Sequence, residues 1–359
     1  MNGKGRQIEV ASHRFIANVS LFKGLVWNKK DISNMSKASG QKTPCNYFDG
    51  VPIPAFFPAE MVQSIIDYKP KDDDIFIVTF PKCGTTWSHH TLELILRHGE
   101  NFGENFKLTD TGPFLEVAGA EGIKNVKRPC AFKTHLPFRL TPWSDKAKYI
   151  YVTRNPKDTC VSFYHHMANM PVMAFNGTFD EFFEHFISGD AGYGDYFDHL
   201  EGWYEQRNRP NVLFVTYEEM KEDPEAAILK MASFVDDEKY AEPLRKDRQK
   251  LENVVKYSSF EKMKADFNKG IKDMFSMSAE DAKKSTELPE GFKAMISKMH
   301  EVKDGEDAPK NAGALAFVRK GIIGDWRNHF SEEQSRRLDE KFEERTKNIE
   351  IANIWKQYM

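Results

Sequence analysis

Behind the acidic run Asp72-Asp73-Asp74 the chain turns abruptly apolar. Ile75-Phe76-Ile77-Val78-Thr79-Phe80 is a β-rich hexamer closed by Pro81, the pattern of a strand buried on both faces. Lys82-Cys83-Gly84-Thr85-Thr86-Trp87 follows, and after it a run whose Leu92, Leu94, Ile95 and Leu96 suit a buried helix opening near Thr85. The same reading predicts strands at 130–134, 148–153 and 212–216, and helical stretches at 157–167, 179–187 and 224–234. Strand and helix alternate, so the predicted fold class is α/β: a single domain over 46–359 with a central parallel sheet flanked by helices, carrying a P-loop-like strand-loop-helix. Residues 264–318 are charged, with scattered Gly and Pro and little strand character; they read as a helical insertion or mobile lid ahead of the compact run Arg319-Lys320-Gly321-Ile322-Ile323-Gly324-Asp325-Trp326. Repeats and low-complexity tracts are absent from the sequence.

A chain of 359 residues can bury one large core. With 40% hydrophobic and 29% charged residues it falls in the ordinary globular range. Lys plus Arg number 51 against 54 Asp plus Glu, a net charge of −3, which supplies no global field for a nucleic-acid backbone. Any anion site must therefore be local. Cys45, Cys83, Cys130 and Cys160 stand far apart with no CxxC pair, which predicts neither zinc nor a disulfide framework but reduced thiols in the cytoplasm. No apolar run reaches the roughly 18 residues of a spanning helix, so no membrane partner is expected. Residues 1–37 carry seven Lys or Arg against Glu9 and Asp31, a bias shared by organelle-targeting segments and flexible cytosolic extensions; a flexible extension over 1–45 is the expectation.

Four short runs carry the chemistry. Lys82 ahead of Gly84, Thr85 and Thr86 at a helix start brings backbone N–H groups, hydroxyls and an ammonium toward one anion, although a capped helix with a solvated Lys reads the same way. It is not a Walker A loop, which places Lys after the second Gly. Phe132-Lys133-Thr134-His135 puts a Lys and a His on one face at a strand end, where open α/β sheets bind ligands. His135, titrating near an ordinary ~6.5, can accept a hydroxyl proton, or it can be a structural histidine. Arg154 ends the next strand and Ser162 lies two turns into the following helix, which suits a second phosphate or a pairing of Arg154 with Asp158. Arg319-Lys320-Gly321 joins two cations to a glycine that lets an anion approach the backbone.

In identity, order and spacing these runs together resemble the cytosolic sulfotransferase family, over about Gly50 to Phe330. The resemblance implies 3'-phosphoadenosine-5'-phosphosulfate (PAPS) as donor, PAP as product and no metal. It gives Lys82, Cys83, Gly84, Thr85 and Thr86 to the 5'-phosphosulfate, and Trp87, Tyr217, Ser258 and Phe260 to adenine. Arg154, Ser162, Arg319, Lys320 and Gly321 go to the 3'-phosphate. His135 is implied as the base, with Lys82, Lys133 and Ser162 completing the catalytic set, and Phe114, His135 and His166 border the acceptor. Three departures stand out. Cys83 replaces the commoner Ser, residues 264–318 are longer than usual, and the family's dimer motif Lys-x-x-x-Thr-Val-x-x-x-Glu reads Arg327-x-x-x-Ser331-Glu332-x-x-x-Arg336. The expectation is a monomer or a non-standard homodimer acting on a small, largely apolar phenol, sterol, other alcohol or amine. The alternatives are a PAP-dependent dehydratase working through a transient sulfate ester, and a silent nucleotide or ligand carrier, which would lack Lys82 or His135.

Overall fold

The four apolar runs form one parallel sheet, and the sheet's order decides where the polar loops meet. The computed structural model describes residues 43–103, 106–124, 126–170, 173, 175–286, 288–303 and 318–359. Most of the expected N-terminal extension, residues 1–42, lies outside them; its last residue, Cys45, opens a strand instead of ending a free segment. An antiparallel hairpin of β1 (Cys45–Phe48) and β2 (Val51–Pro54) precedes α1 (Ala59–Ile66). Then come β3 (Ile75–Val78), α2 (Thr85–Leu96), α3 (Leu115–Lys124), β4 (Ala131–Thr134), β5 (Lys148–Thr153) and α4 (Pro156–Asn169). α5 (Phe179–Ser188), α6 (Tyr196–Tyr204), β6 (Val212–Thr216), α7 (Tyr217–Glu222) and α8 (Pro224–Asp236) complete the central part.

The strand order is β4-β3-β5-β6, all parallel. The chain leaves β3 for β4 on one side and then crosses to β5 on the other, so the order reverses beside β3. In open α/β sheets that reversal opens a crevice at the carboxyl ends of the strands. Both faces are buried, which is why the strands read as continuous apolar runs rather than alternating ones. Phe76, Val78, Phe132, Tyr149 and Tyr151 face one core, while Ile75, Ile77, Ile150, Val152 and Val215 face the other. The β3 ladder stops at Val78, two residues before the expected Phe80, because Thr79 and Phe80 already turn into the loop. α4 starts one residue early: Asn155 caps it by accepting from Asp158 N–H, and Pro156 takes the first position, where no N–H is needed.

Beyond α8, a single π turn (Asp237–Ala241) leads to α9 (Glu242–Lys246) and α10 (Arg248–Tyr257). The long charged segment is helical where described: α11 (Phe260–Ser276), α12 (Ala279–Lys284) and α13 (Glu290–Lys303). Its remainder, 304–317, lies outside the described residues. α13 approaches α3 so closely that a Cβ on Gly291 would lie 2.1 Å from the Val117 carbonyl oxygen. α14 (Glu332–Thr346) and a closing 3-10 turn (Glu350–Gln357) end the chain.

That last turn is tied to the sheet through Glu218, fully buried at the start of α7. One carboxylate oxygen accepts from Asn155 N–H (3.0 Å) and the Asn155 amide (2.9 Å), and the other from Trp355 Nε1–H (3.1 Å). Trp355→Ala removes a fully buried indole and leaves a carboxylate oxygen without its donor. A loss of about 3–5 kcal/mol is expected, read as a lower urea midpoint; a midpoint unchanged from wild type would contradict this role for the C-terminal turn.

Candidate active site

A cavity of about 450 Å³ opens at the carboxyl end of the sheet, and the sequence-predicted groups converge there. The loop from Phe80 to Gly84 is held in a conformation ordinary residues avoid: Lys82 has φ 71° and Gly84 φ 101°. A left-handed Lys costs roughly 1–3 kcal/mol of strain, which the surrounding fold must over-determine. Gly84 has a second reason to lack a side chain, since its Cβ would meet the Tyr217 ring at 3.0 Å. Lys82, Gly84, Thr85, Thr86 and Trp87 line the cavity. Cys83 does not: its thiol is buried, 3.6 Å from Thr159 Oγ1, and burial pushes it up to about 12. Whatever Cys83 offers an anion comes from its backbone.

Arg154, at the end of β5, donates through Nη2 to the Ile322 carbonyl (2.8 Å) and lies 4.2 Å over the Tyr217 ring, while its buried Nε makes no hydrogen bond. The pairing with Asp158 is present, its carboxylate standing 3.7 Å from Arg154 Nη2. The Asp158 carboxylate also accepts from Gly324 N–H (2.7 Å) and Trp326 N–H (3.1 Å), which fastens the C-terminal loop to α4. Within that loop Asp325 pairs with Arg319 (2.5 Å) and Lys320 (2.7 Å), and those partners hold its carboxyl far below the usual range. Ser162, Arg319, Lys320 and Gly321 all border the cavity. Gly321 has φ 64°, and a Cβ there would reach 2.2 Å from the Phe260 ring. Trp87 and Tyr217 meet edge to face at 5.3 Å. Ser258, expected with them, is turned away: its hydroxyl donates to the Val254 carbonyl of its own helix (2.7 Å), and the residue does not border the cavity.

His135 is fixed from three sides. Its backbone N–H donates to Glu116 Oε1 (2.6 Å), its carbonyl faces His199 Nε2 (3.2 Å), and its Nδ1 lies 3.0 Å from the Thr79 carbonyl. A carbonyl can only accept, so Nδ1 carries the proton and Nε2 is left as the basic atom. The expected titration near 6.5 is not found, since burial lowers His135 to about 3 and keeps it neutral at physiological pH. Burial also lowers Lys82 to about 8, with Arg154 and Arg319 adding repulsion, and lowers Lys133 to about 8 against the pull of Glu93 and Glu116. Phe114 and Tyr193 flank the imidazole at 5.2 and 5.3 Å between ring centroids. His166 borders the same end, and burial holds it well below its ordinary value.

The sequence reading missed several groups. Glu116 is fully buried, its carboxyl raised to about 7 by burial, with one oxygen bonded to His135 and the other unpartnered. Its signal was a lone acid inside the apolar run Phe114-Leu115-Glu116-Val117-Ala118, where a charge survives only with partners. Tyr193, with φ 64° and a buried, unbonded hydroxyl, and the cavity methionines Met170 and Met173 carried no motif at all.

The sequence model of the sulfotransferase domain matches residues 72–350. An amine sulfotransferase of Oryctolagus cuniculus is 35% identical over 304 residues, covering 82% of this chain and 88% of its own, and a sulfotransferase 1C2 of the same organism is 32% identical over 88% of this chain and 97% of its own. The chain belongs to the sulfotransferase family. This sulfotransferase also overlays a mouse sulfotransferase, SULT7A1, crystallised with PAP, at a TM-score of 0.64 and 27% identity, covering 88% of this chain and 98% of that one. A retinol dehydratase complexed with androsterone and PAP shares the fold at a TM-score of 0.64 and 21% identity, covering 89% and 94%. The enzyme is a PAPS-dependent sulfotransferase, and its residues fit such a donor: an unbonded buried Arg154 Nε, two glycines where a Cβ would intrude, and several cations around one cavity.

The pH dependence of nucleotide binding follows from Lys82. Its charge is present below about 8 and lost as pH rises through that value, so PAP affinity should fall between pH 7 and pH 9.5, by at most about tenfold per unit. Lys82→Met should bind more weakly at pH 7 and lose most of this slope, Lys133 keeping a remainder. Titration calorimetry showing a wild-type Kd flat to pH 9.5 would refute the assignment.

Proposed function

We propose that this sulfotransferase moves the sulfuryl group of PAPS to a hydroxyl, or an amine, of a small and largely apolar acceptor such as a phenol, a sterol or another alcohol. The observation that carries the reading is a neutral imidazole with Nδ1–H committed to the Thr79 carbonyl, in the same cavity as six Lys and Arg side chains and a wall of apolar ones. The donor supplies an activated sulfuryl group. The chain's own residues do the rest. His135 Nε2 accepts the acceptor's proton, Lys82 and Lys133 offset charge gathering toward the departing nucleotide, and the loop from Lys82 to Thr86 orients the 5' end. Arg154, Ser162 and Arg319 hold the 3'-phosphate, with Lys320 and Gly321 beside them, and Trp87, Tyr217 and Phe260 enclose the base. Phe114, His166 and Tyr193 border the acceptor. An amine acceptor is supported by the name of the amine sulfotransferase relative.

The insertion supplies part of the acceptor wall: Phe267, Ile271, Met274, Phe292 and Met295 border the cavity, while lysines and acids cover the other side of the same helices. We read it as a lid that gains order with nucleotide. The subunit is read as a monomer, because Arg336 is already engaged by Glu333 and Glu340 of its own helix. A cytoplasmic site of action suits four free thiols, and among the described residues no helix is long and apolar enough to cross a membrane.

PAP should raise the melting temperature well above what 5'-AMP achieves at equal concentration, since stabilisation grows with ligand over Kd and only PAP carries the 3'-phosphate. Equal shifts would remove that assignment. Labelled PAPS with a panel of phenols, sterols and amines should yield sulfate esters or sulfamates; a dehydrated alcohol as sole product would make the enzyme a dehydratase. Hydrogen exchange should slow between Met274 and Met299 when PAP binds, and unchanged exchange there, with Arg319 protected, would leave the insertion a plain surface element.

A further inference from the structure

Thr79 is not among the residues lining the 450 Å³ cavity and belongs to no anion-binding run, yet the base and the loop of Lys82 to Thr86 touch through it. Its hydroxyl lies 2.6 Å from Thr85 Oγ1 and 3.2 Å from His135 Nδ1, and its carbonyl lies 3.0 Å from the same nitrogen. Thr79 is fully buried, so no water competes for these bonds. Thr85, at the start of α2, borders the cavity. A continuous line of three groups therefore runs from the anion loop to the imidazole.

The line can be ordered in two directions. In one, His135 Nδ1–H donates to the Thr79 carbonyl and hydroxyl, the Thr79 hydrogen goes to Thr85 Oγ1, and Thr85 directs its own hydrogen into the cavity. Nε2 is then the accepting atom. In the other, Thr85 donates to Thr79, Thr79 donates to an unprotonated Nδ1, and the imidazole proton sits on Nε2, where the ring cannot serve as a base. The second order sets the Nδ1 lone pair against the Thr79 carbonyl, but nothing forbids it as a minor population. An anion at the loop claims the Thr85 hydrogen and removes it altogether. Bonds in such a chain polarise one another, and a ligand shifts the equilibrium by its preference for one order.

Resting on the nucleotide reading above, we infer that Thr79 is a positioning residue. Its hydroxyl passes the occupancy of the anion loop, through Thr85, to the tautomer of His135, so that the base is fixed in its accepting form when the 5' end of the donor is bound. The titratable groups facing His135 from other elements are Lys82, Lys133, His166, His199 and Glu116.

The test uses the full chain with ¹⁵N-labelled histidine, the His135 signals being assigned by their loss in His135→Gln, and PAP as probe. In wild type, saturating PAP should slow solvent exchange of the Nδ1 proton about tenfold, within the usual range of coupling between sites, with Nε2 keeping the shift of an unprotonated nitrogen. Thr79→Val keeps the shape and deletes the hydroxyl. Its exchange should change less than about twofold at saturation, while Thr79→Ser should respond as wild type does. Thr85→Val, breaking the next link, should match Thr79→Val once saturated and serves if that variant does not fold. The inference fails if wild type binds PAP with no response at His135, or if Thr79→Val responds like wild type. Calorimetry on wild type separates the two levels: absence of PAP binding there overturns the nucleotide reading, and this inference with it.

Discussion

Lys82, Lys133, Arg154, Lys221, Arg319 and Lys320 border one cavity, and gathering so many positive charges in one place is the constraint around which the site is built. Like charges gathered in a partly dry space cost several kcal/mol unless something answers them. Two answers are visible. Burial lowers the proton affinity of Lys82 and Lys133, both falling to about 8, and Arg154 and Arg319 add repulsion at Lys82 alone. Carboxylates stand behind the cations instead of in the cavity: Asp325 behind Arg319 and Lys320, Asp158 beside Arg154, Glu116 and Glu93 near Lys133.

Holding these cations together requires parts of the chain far apart in sequence to be fixed against each other. Asp158 accounts for much of that fixing, taking two backbone N–H groups of the C-terminal loop while capped into α4 by Asn155. From the other side, Asn268 of α11 makes both bonds to the Val318 backbone, N–H to Oδ1 at 2.9 Å and Nδ2 to the carbonyl at 3.2 Å. The helix that begins at Phe260 thus sets the entry to Arg319. Phe260 in turn presses on Gly321, which tolerates the contact because it has no Cβ. Helix α11 and the loop that begins at Val318 are consequently held to one another.

The apolar part of the cavity is built on different physics. Apolar walls from Phe57, Phe114, Met170, Met274 and Phe292 surround a few polar atoms, the usual composition of a small-molecule pocket. Methionine adapts its shape at little cost, so walls containing it can follow differing outlines. Orientation is left to His135, whose backbone and ring are both held by buried partners.

What the sequence alone determined is what neighbours along the chain dictate. The strands at 148–153 and 212–216 were legible to the residue because apolar β-branched and aromatic runs have few other uses. The loop of Lys82, Gly84, Thr85 and Thr86 was legible because a strand, a turn and a helix start leave little choice of geometry. Tertiary structure decided what depends on surroundings. Cys83 and Ser258, inside recognisable runs, point their side chains into the protein because Thr159 and the Val254 carbonyl receive them there. His135 loses its ordinary titration through burial, and a sequence does not display burial. Glu116, Thr79 and Asp158 gain their roles from partners 19, 56 and 168 positions away, and only the folded sheet brings those pairs within bonding distance.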